Sequence, residues 1–115
     1  NEITINKKTK ILIMGITFKE NCPDIRNTKI VDVYNELVKY NFNVDVCDPL
    51  ADPNEVYNSY GIKLNKKITK YEAIILATAH NEFKTIDFKS IKKTNNSIIY
   101  DVKGFMNREI VTKRL

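Results

Sequence analysis

Glycine and proline are scarce in this chain, three of each among 115 residues. That excludes a collagen-like or low-complexity sequence, and hydrophobic residues at 43% are enough for a core. A single compact domain over 1–115 is the expectation. No apolar run approaches the roughly 18 residues a membrane span needs. The polar opening 1–10 also lacks the apolar centre of a signal peptide, so the expected location is cytoplasmic, off the membrane. The chain opens on Asn1 rather than Met, which fits a segment of a longer protein. Cysteine and histidine are nearly absent: Cys22, Cys47 and His80. With no C-x-x-C pair and one histidine, no metal site is expected. Cys47 ends an apolar stretch and reads as a buried, inert thiol. Cys22 precedes Pro23 in a loop and reads as partly exposed. A reducing cytosol argues against a disulfide between the two.

What is present in excess is positive charge, 19 basic against 14 acidic residues for a net +5. The lysines come in scattered pairs, Lys7-Lys8, Lys66-Lys67 and Lys92-Lys93. A solvated surface explains them better than a nucleic-acid track does, and an anionic small molecule suits the same charge.

Short apolar runs punctuate the chain. Ile11, Leu12, Ile13 and Met14 before Gly15 read as a buried strand. The stretch 16–27 is a long loop containing Pro23. Ile30, Val31, Val33, Tyr34, Leu37 and Val38 recur at helical spacing, with Asn27 or Thr28 able to cap the start and Asn41 able to stop it. Val44, Val46 and Cys47 form a second strand ended by Asp48-Pro49. A short helix over 54–60 closes at Gly61, and Ile62 and Leu64 suggest a minor strand. Residues 73–77 (Ala-Ile-Ile-Leu-Ala) form a third main strand, 83–92 a loop plus a short helix, and 98–100 a last strand before Asp101. A helical turn or frayed end is expected from Asn107. Strands alternating with helices predict an α/β fold: a Rossmann-like, three-layer domain whose mostly parallel sheet is covered by helices on both faces. Ligands in such sheets bind beyond the C-terminal strand ends at a switch point, which selects 15–28, 48–53, 78–83 and 101–106.

The loop 15–28 has one glycine at the strand end, not the G-x-G-x-x-G of a dinucleotide site, and Walker A is absent as well. Its cations are the stronger feature. Lys19, Arg26 and Lys29 lie before or within the first helical turn, where the helix already carries partial positive charge. A phosphate would turn that cluster into a binding site. Equally, Arg26 can pair with Asp24 or Glu20 and be structural. Phe18 can stack on a base or cover a ligand, although anchoring the loop in the core is the more economical role for one Phe. Lys103, followed by Gly104, would project near the ligand edge as a point charge for phosphate, or be an ordinary surface lysine. His80 lacks a Ser or carboxylate companion at defined spacing and reads as a hydrogen-bonding loop residue. Cys22 fails as a nucleophile for a similar reason, even though neighbouring cations can lower a thiol pKa.

The segment 15–28, Gly-Ile-Thr-Phe-Lys-Glu-Asn-Cys-Pro-Asp-Ile-Arg-Asn-Thr, resembles the G-x-x-F-K-x-x-x-x-D-x-R-x-S/T signature of the UDP-glucose/GDP-mannose dehydrogenase family. The likeness continues through Asp48-Pro49, the Ala-x-x-His-x-x-Phe run at 77–83 and Asp101-x-Lys103, covering nearly the whole chain. Its wording is most similar to the branch acting on UDP-N-acetylglucosamine or UDP-N-acetylgalactosamine. The resemblance implies the C-terminal UDP-binding domain of an NAD-dependent 6-dehydrogenase serving surface polysaccharide synthesis. In that family an N-terminal Rossmann domain holds NAD, and a central domain carries the dimer contact and a Gly-Gly-x-Cys nucleophile. Two hydride transfers turn the C6 alcohol into a carboxylate through thiohemiacetal and thioester stages. By that resemblance Phe18 and Lys19 contact the UDP-sugar, Arg26 reaches the NAD, Asp24 orients Arg26 or the loop, and Lys103 stands near substrate. Around Lys103, Val-Lys-Gly departs from the commoner Gly-Arg form. No catalytic residue maps here, so the chain alone is expected to be inactive and its partners to be a UDP-sugar and the enzyme's other domains, in a homodimer or larger assembly. A free-standing nucleotide-binding regulatory module is the alternative.

Overall fold

The structure is a computed structural model that describes residues 9–26, 28–101 and 113–114. Ile11 to Met14 offer water no polar face, so the strand they form has to be covered on both sides. That strand, β1 (Lys10–Met14), pairs in parallel with β2 (Asn43–Cys47) on one side and β3 (Ala73–Leu76) on the other. β4 (Ile98–Asp101) adds to β3, and β5 (Lys113–Arg114) adds to β4, again in parallel. The order is β2-β1-β3-β4-β5.

Alternation along the strands divides the core in two. Leu12, Met14, Ile74, Leu76 and Ile99 pack on one face with Tyr71, Phe83, Phe88 and Ile91. Ile13 and Val46 pack on the other with Val31, Val56 and Ile62. Helix α1 (Ile30–Lys39) and helix α2 (Pro53–Tyr60) supply Val31 and Val56, so both lie on this second face. Two 3-10 helices, Asn81–Thr85 and Phe88–Ile91, cover the first. Helices on both faces of a parallel sheet are thus present, with α-helix on one side and 3-10 turns on the other. The expected loop plus short helix over 83–92 is these two short turns.

Several local expectations change in detail. Asn41 does stop α1 from a left-handed backbone (φ 67). The N-cap position belongs to Lys29, whose side chain caps nothing, while the Thr28 hydroxyl accepts the Ile30 N–H at 3.3 Å. Asn27 lies outside the described residues. The buried stripe of α1 is narrower than its apolar sequence: Val33 and Val38 face solvent. α2 begins on a side-chain cap, Asp52 accepting the Asn54 N–H, and ends at Gly61 (φ 70). Ile62 and Leu64 form no strand and pack into the helix-side core instead. Asn65 then takes up the edge of β2, its N–H donating to Val46 O and its side-chain oxygen accepting the Val46 N–H. The chain there rounds the sheet edge, and Ile68 and Tyr71 follow on the opposite face. Lys113 and Arg114 continue the sheet rather than a helical turn. Residues 107–112 lie outside the described residues.

Candidate functional site

From β1 the chain runs out to β2 and returns past β1 to β3. The switch point therefore lies between the C-terminal ends of β1 and β3, flanked by the loops after Met14 and Leu76. These two ends press together. Gly15 has φ 98, and a Cβ there would stand 2.5 Å from the Thr78 Cβ. Only glycine gives both the left-handed backbone and the space.

Directly above, three strand ends interlock. Asp48, at the end of β2, is buried, and its carboxylate accepts backbone N–H groups from Ile16 (2.7 Å), Thr17 (3.2 Å), Leu50 (2.9 Å) and Ala51 (3.1 Å). His80, after β3, is fully buried. Its Nε2 lies 3.0 Å from Asp48 Oδ2 and 3.0 Å from Thr17 Oγ1, and its Nδ1 is 2.9 Å from the Asn21 amide nitrogen. A backbone N–H can only donate, so Nδ1 is the acceptor and Nε2 carries the proton. Asn21 has φ 59, and its side-chain oxygen accepts the Asn81 N–H at 2.8 Å. The Thr17 hydroxyl donates to Lys19 O, and the Thr78 hydroxyl to Thr17 O.

The expectation that ligand enters at the switch point is accordingly refined. The crevice itself is filled by the protein's own side chains, and free volume lies beside it. One cavity of about 320 Å³ at the end of β2 is bounded by Cys47, Pro49, Leu64, Lys66, Glu82 and Phe83. Another of about 470 Å³ lies between the first loop and α2, against Pro23, Arg26, Leu50, Asp52, Glu55 and Tyr60.

The residues singled out in the sequence occupy the outer surface of the first loop. Phe18 is 56% exposed, which overturns the core-anchor role. A ring left in water on an otherwise tied loop is available to a ligand. Its N–H donates to Asp24 O at 2.6 Å and joins the two halves of the loop. Lys19 is exposed, and its ammonium has no hydrogen bond or ion pair among the described residues. Arg26 does pair with Asp24: Nε and Nη2 reach the two carboxylate oxygens at 3.0 and 2.8 Å, and the Arg26 N–H adds a third bond. This fork holds the Asp24 carboxyl down at about 2. The guanidinium is 84% exposed all the same and borders the larger cavity. Lys29 stands exposed at the start of α1. Lys103 lies outside the described residues. Sequence reasoning gave His80 no definite partner, because Asp48, Thr17 and Asn21 are near it only in space. Cys47 is buried, and desolvation raises its thiol to about 12. Cys22 is half-buried, and both thiols are free. Among the described residues no cluster suits a metal, and no helix is long and apolar enough to cross a membrane.

An all-parallel sheet in the order 2-1-3-4-5, with helices on both faces, places the chain among the doubly wound α/β domains. Comparison with known proteins narrows the class. The profile of the UDP-glucose/GDP-mannose dehydrogenase family, UDP binding domain, matches residues 12–108, and the chain belongs to that family. It is 42% identical over 110 residues to the UDP-N-acetyl-D-glucosamine 6-dehydrogenase of Pseudomonas aeruginosa, covering 92% of this chain and 26% of that protein. The enzyme of the same name from Salmonella typhi is 43% identical over 111 residues, with 93% and 26% covered. The chain thus spans about a quarter of the length of these curated relatives. In fold it is similar to a UDP-glucose dehydrogenase from Pyrobaculum islandicum, with a TM-score of 0.74, 19% identity, and 93% and 24% of the two chains covered.

Proposed function

We propose that this chain is the nucleotide-sugar-binding, C-terminal part of an NAD-dependent UDP-N-acetylhexosamine 6-dehydrogenase that works in surface polysaccharide synthesis. The observation that carries the reading is the family's Phe-Lys pair, Phe18 and Lys19, standing exposed and, among the described residues, without a side-chain partner, next to a buried and hydrogen-bonded Thr17. An aromatic face takes the base or ribose, and an ammonium takes a phosphate oxygen. The remote UDP group then supplies binding energy that holds sugar C6 in place when the domains close.

The hydride acceptor in this reading is NAD. The filled crevice between β1 and β3, with Gly15 against Thr78, supports a cofactor held mainly outside this domain. In this reading another part of the enzyme holds most of the cofactor, and this chain offers it Arg26 across the cleft. Asp24 holds the Arg26 guanidinium in a fixed plane while leaving it exposed. By the family resemblance Lys103, two positions past the last residue of β4 in the sequence, is the further basic residue assigned to the substrate. The nucleophilic cysteine belongs to the remainder of the protein, so the domain by itself does no chemistry.

Calorimetric titration of this chain with UDP tests the reading, and Lys19→Ala is the decisive variant. A charged hydrogen bond to phosphate is worth about 1.5–3 kcal/mol, so affinity should fall roughly 10- to 100-fold. In the full-length enzyme the same substitution should raise KM for the UDP-sugar similarly. An unchanged affinity and KM in folded Lys19→Ala would remove Lys19 from the site.

A further inference from the structure

His80 contacts the loop that carries Phe18 and Lys19 at both of its ends. Thr17 Oγ1 lies 3.0 Å from Nε2, and the Asn21 N–H lies 2.9 Å from Nδ1. Between those two contacts only Phe18, Lys19 and Glu20 remain, all exposed. The imidazole is itself fixed: Asp48 Oδ2 sits 3.0 Å from Nε2 and the Phe83 ring packs at a centroid distance of 5.5 Å. Asn81, the next residue, reinforces the same end by donating to the Asn21 side chain. A three-residue tip has little freedom once both its bases are anchored to one rigid, buried ring.

We infer that His80, as the neutral Nε2–H imidazole, is a positioning residue that sets the shape of the 17–21 loop and so the placement of Phe18 and Lys19 for an anionic nucleotide. The tautomer follows from the partners. Asn21 N–H needs an unprotonated Nδ1, and Asp48, already accepting four backbone N–H groups, needs a donor from Nε2. The Thr17 hydroxyl spends its own proton on Lys19 O and so accepts a share of the same Nε2–H. A second proton on the ring would expel the Asn21 N–H and free one end of the loop. The ligand half of the inference rests on the nucleotide-binding reading above; the loop half does not.

His80 is the one histidine in the chain, so ¹⁵N-histidine labelling gives an unambiguous probe. In the folded chain at neutral pH the ring should show an unprotonated Nδ1 with a scalar coupling across the hydrogen bond from the Asn21 amide. An imidazolium, an Nδ1–H tautomer or a missing coupling overturns the inference without mutagenesis. In H80L the Phe18 and Asn21 amides should exchange with solvent at least ~10-fold faster, while Leu12 and Ile74 in the sheet keep their protection. H80Q, which keeps an acceptor and a donor on one planar group, should recover much of that order. Equal loop protection in wild type and H80L overturns the inference. If H80L does not fold, the ring tautomer and coupling decide alone. UDP titration separates the two readings. Lys19-dependent binding that weakens ~10-fold in H80L and returns in H80Q supports positioning, and unchanged affinity in H80L refutes it. Loss of UDP binding in wild type would count against the nucleotide reading and leave the loop result standing.

Discussion

The two cysteines show how one residue type takes two fates from its surroundings. Cys47 ends a strand in the middle of the core, where desolvation first, and then the nearby Asp48 and Asp45 charges, raise its thiol to about 12. A thiolate, the reactive species, is all but absent there at neutral pH. Cys22 sits half-exposed in the first loop. An aromatic disulfide reagent at pH 8 should therefore titrate one thiol rapidly in the folded chain and the second only on unfolding. Two fast thiols would mean that the β2 end opens readily. Histidine follows the same logic: His80 looked bland in sequence, and burial among Asp48, Thr17 and Asn21 gave it a defined tautomer.

Strand ends and helix ends are where local chemistry and packing make separate demands. Gly61 closes α2 with φ 70, and nothing lies within 4 Å of where its Cβ would be. Gly61→Ala should cost only the left-handed backbone, about 1–2 kcal/mol. Gly15 has a similar φ but also faces Thr78, with the Thr78 backbone nitrogen 2.8 Å from the added carbon. Gly15→Ala should cost more, roughly 2–4 kcal/mol from strain and overpacking together. Urea midpoints of the two variants should fall in that order. Equal losses would mean that the β1 and β3 ends separate easily. Both glycines were visible in sequence as element stops, but only the three-dimensional contact distinguishes them. The helix α1 carries the converse lesson. Its apolar residues were counted correctly, yet Val33 and Val38 are exposed, Val38 even though its seven-residue spacing from buried Val31 puts the two on one face.

One sheet serves two cores, and that sets how the whole molecule should fail. Ile74 is fully buried on the 3-10 face and Val56 on the α-helical face. If 1–115 is a single domain, Ile74→Ala, at about 2–5 kcal/mol, and Val56→Ala should each lower one shared transition seen alike by fluorescence and circular dichroism. A variant that melts one face while the other persists would show two units. The sheet edge also explains an element that sequence reasoning misplaced. Ile62 and Leu64 alternate like a strand, but the hydrogen-bonding edge of β2 is taken by Asn65 through its backbone and side chain. A side-chain amide in that position leaves no ladder to extend.

Periodicity, apolar runs and punctuating Gly, Pro and Asn were enough to determine the α/β class, a mostly parallel sheet and the loops that follow its strands. These follow from covalent spacing and from the need to bury contiguous apolar side chains, which act over a few residues. The family likeness of 15–28 was legible for the same reason, being local. What only the tertiary structure decided is how distant strand ends meet. It filled the switch point with Asp48, Thr17, Thr78 and His80, turned Phe18 outward, folded Arg26 onto Asp24, and left Lys19 exposed without a side-chain partner among the described residues. Hydrogen bonds between residues 32 to 63 positions apart have no signature along the chain, because their partners become neighbours only once the sheet has formed.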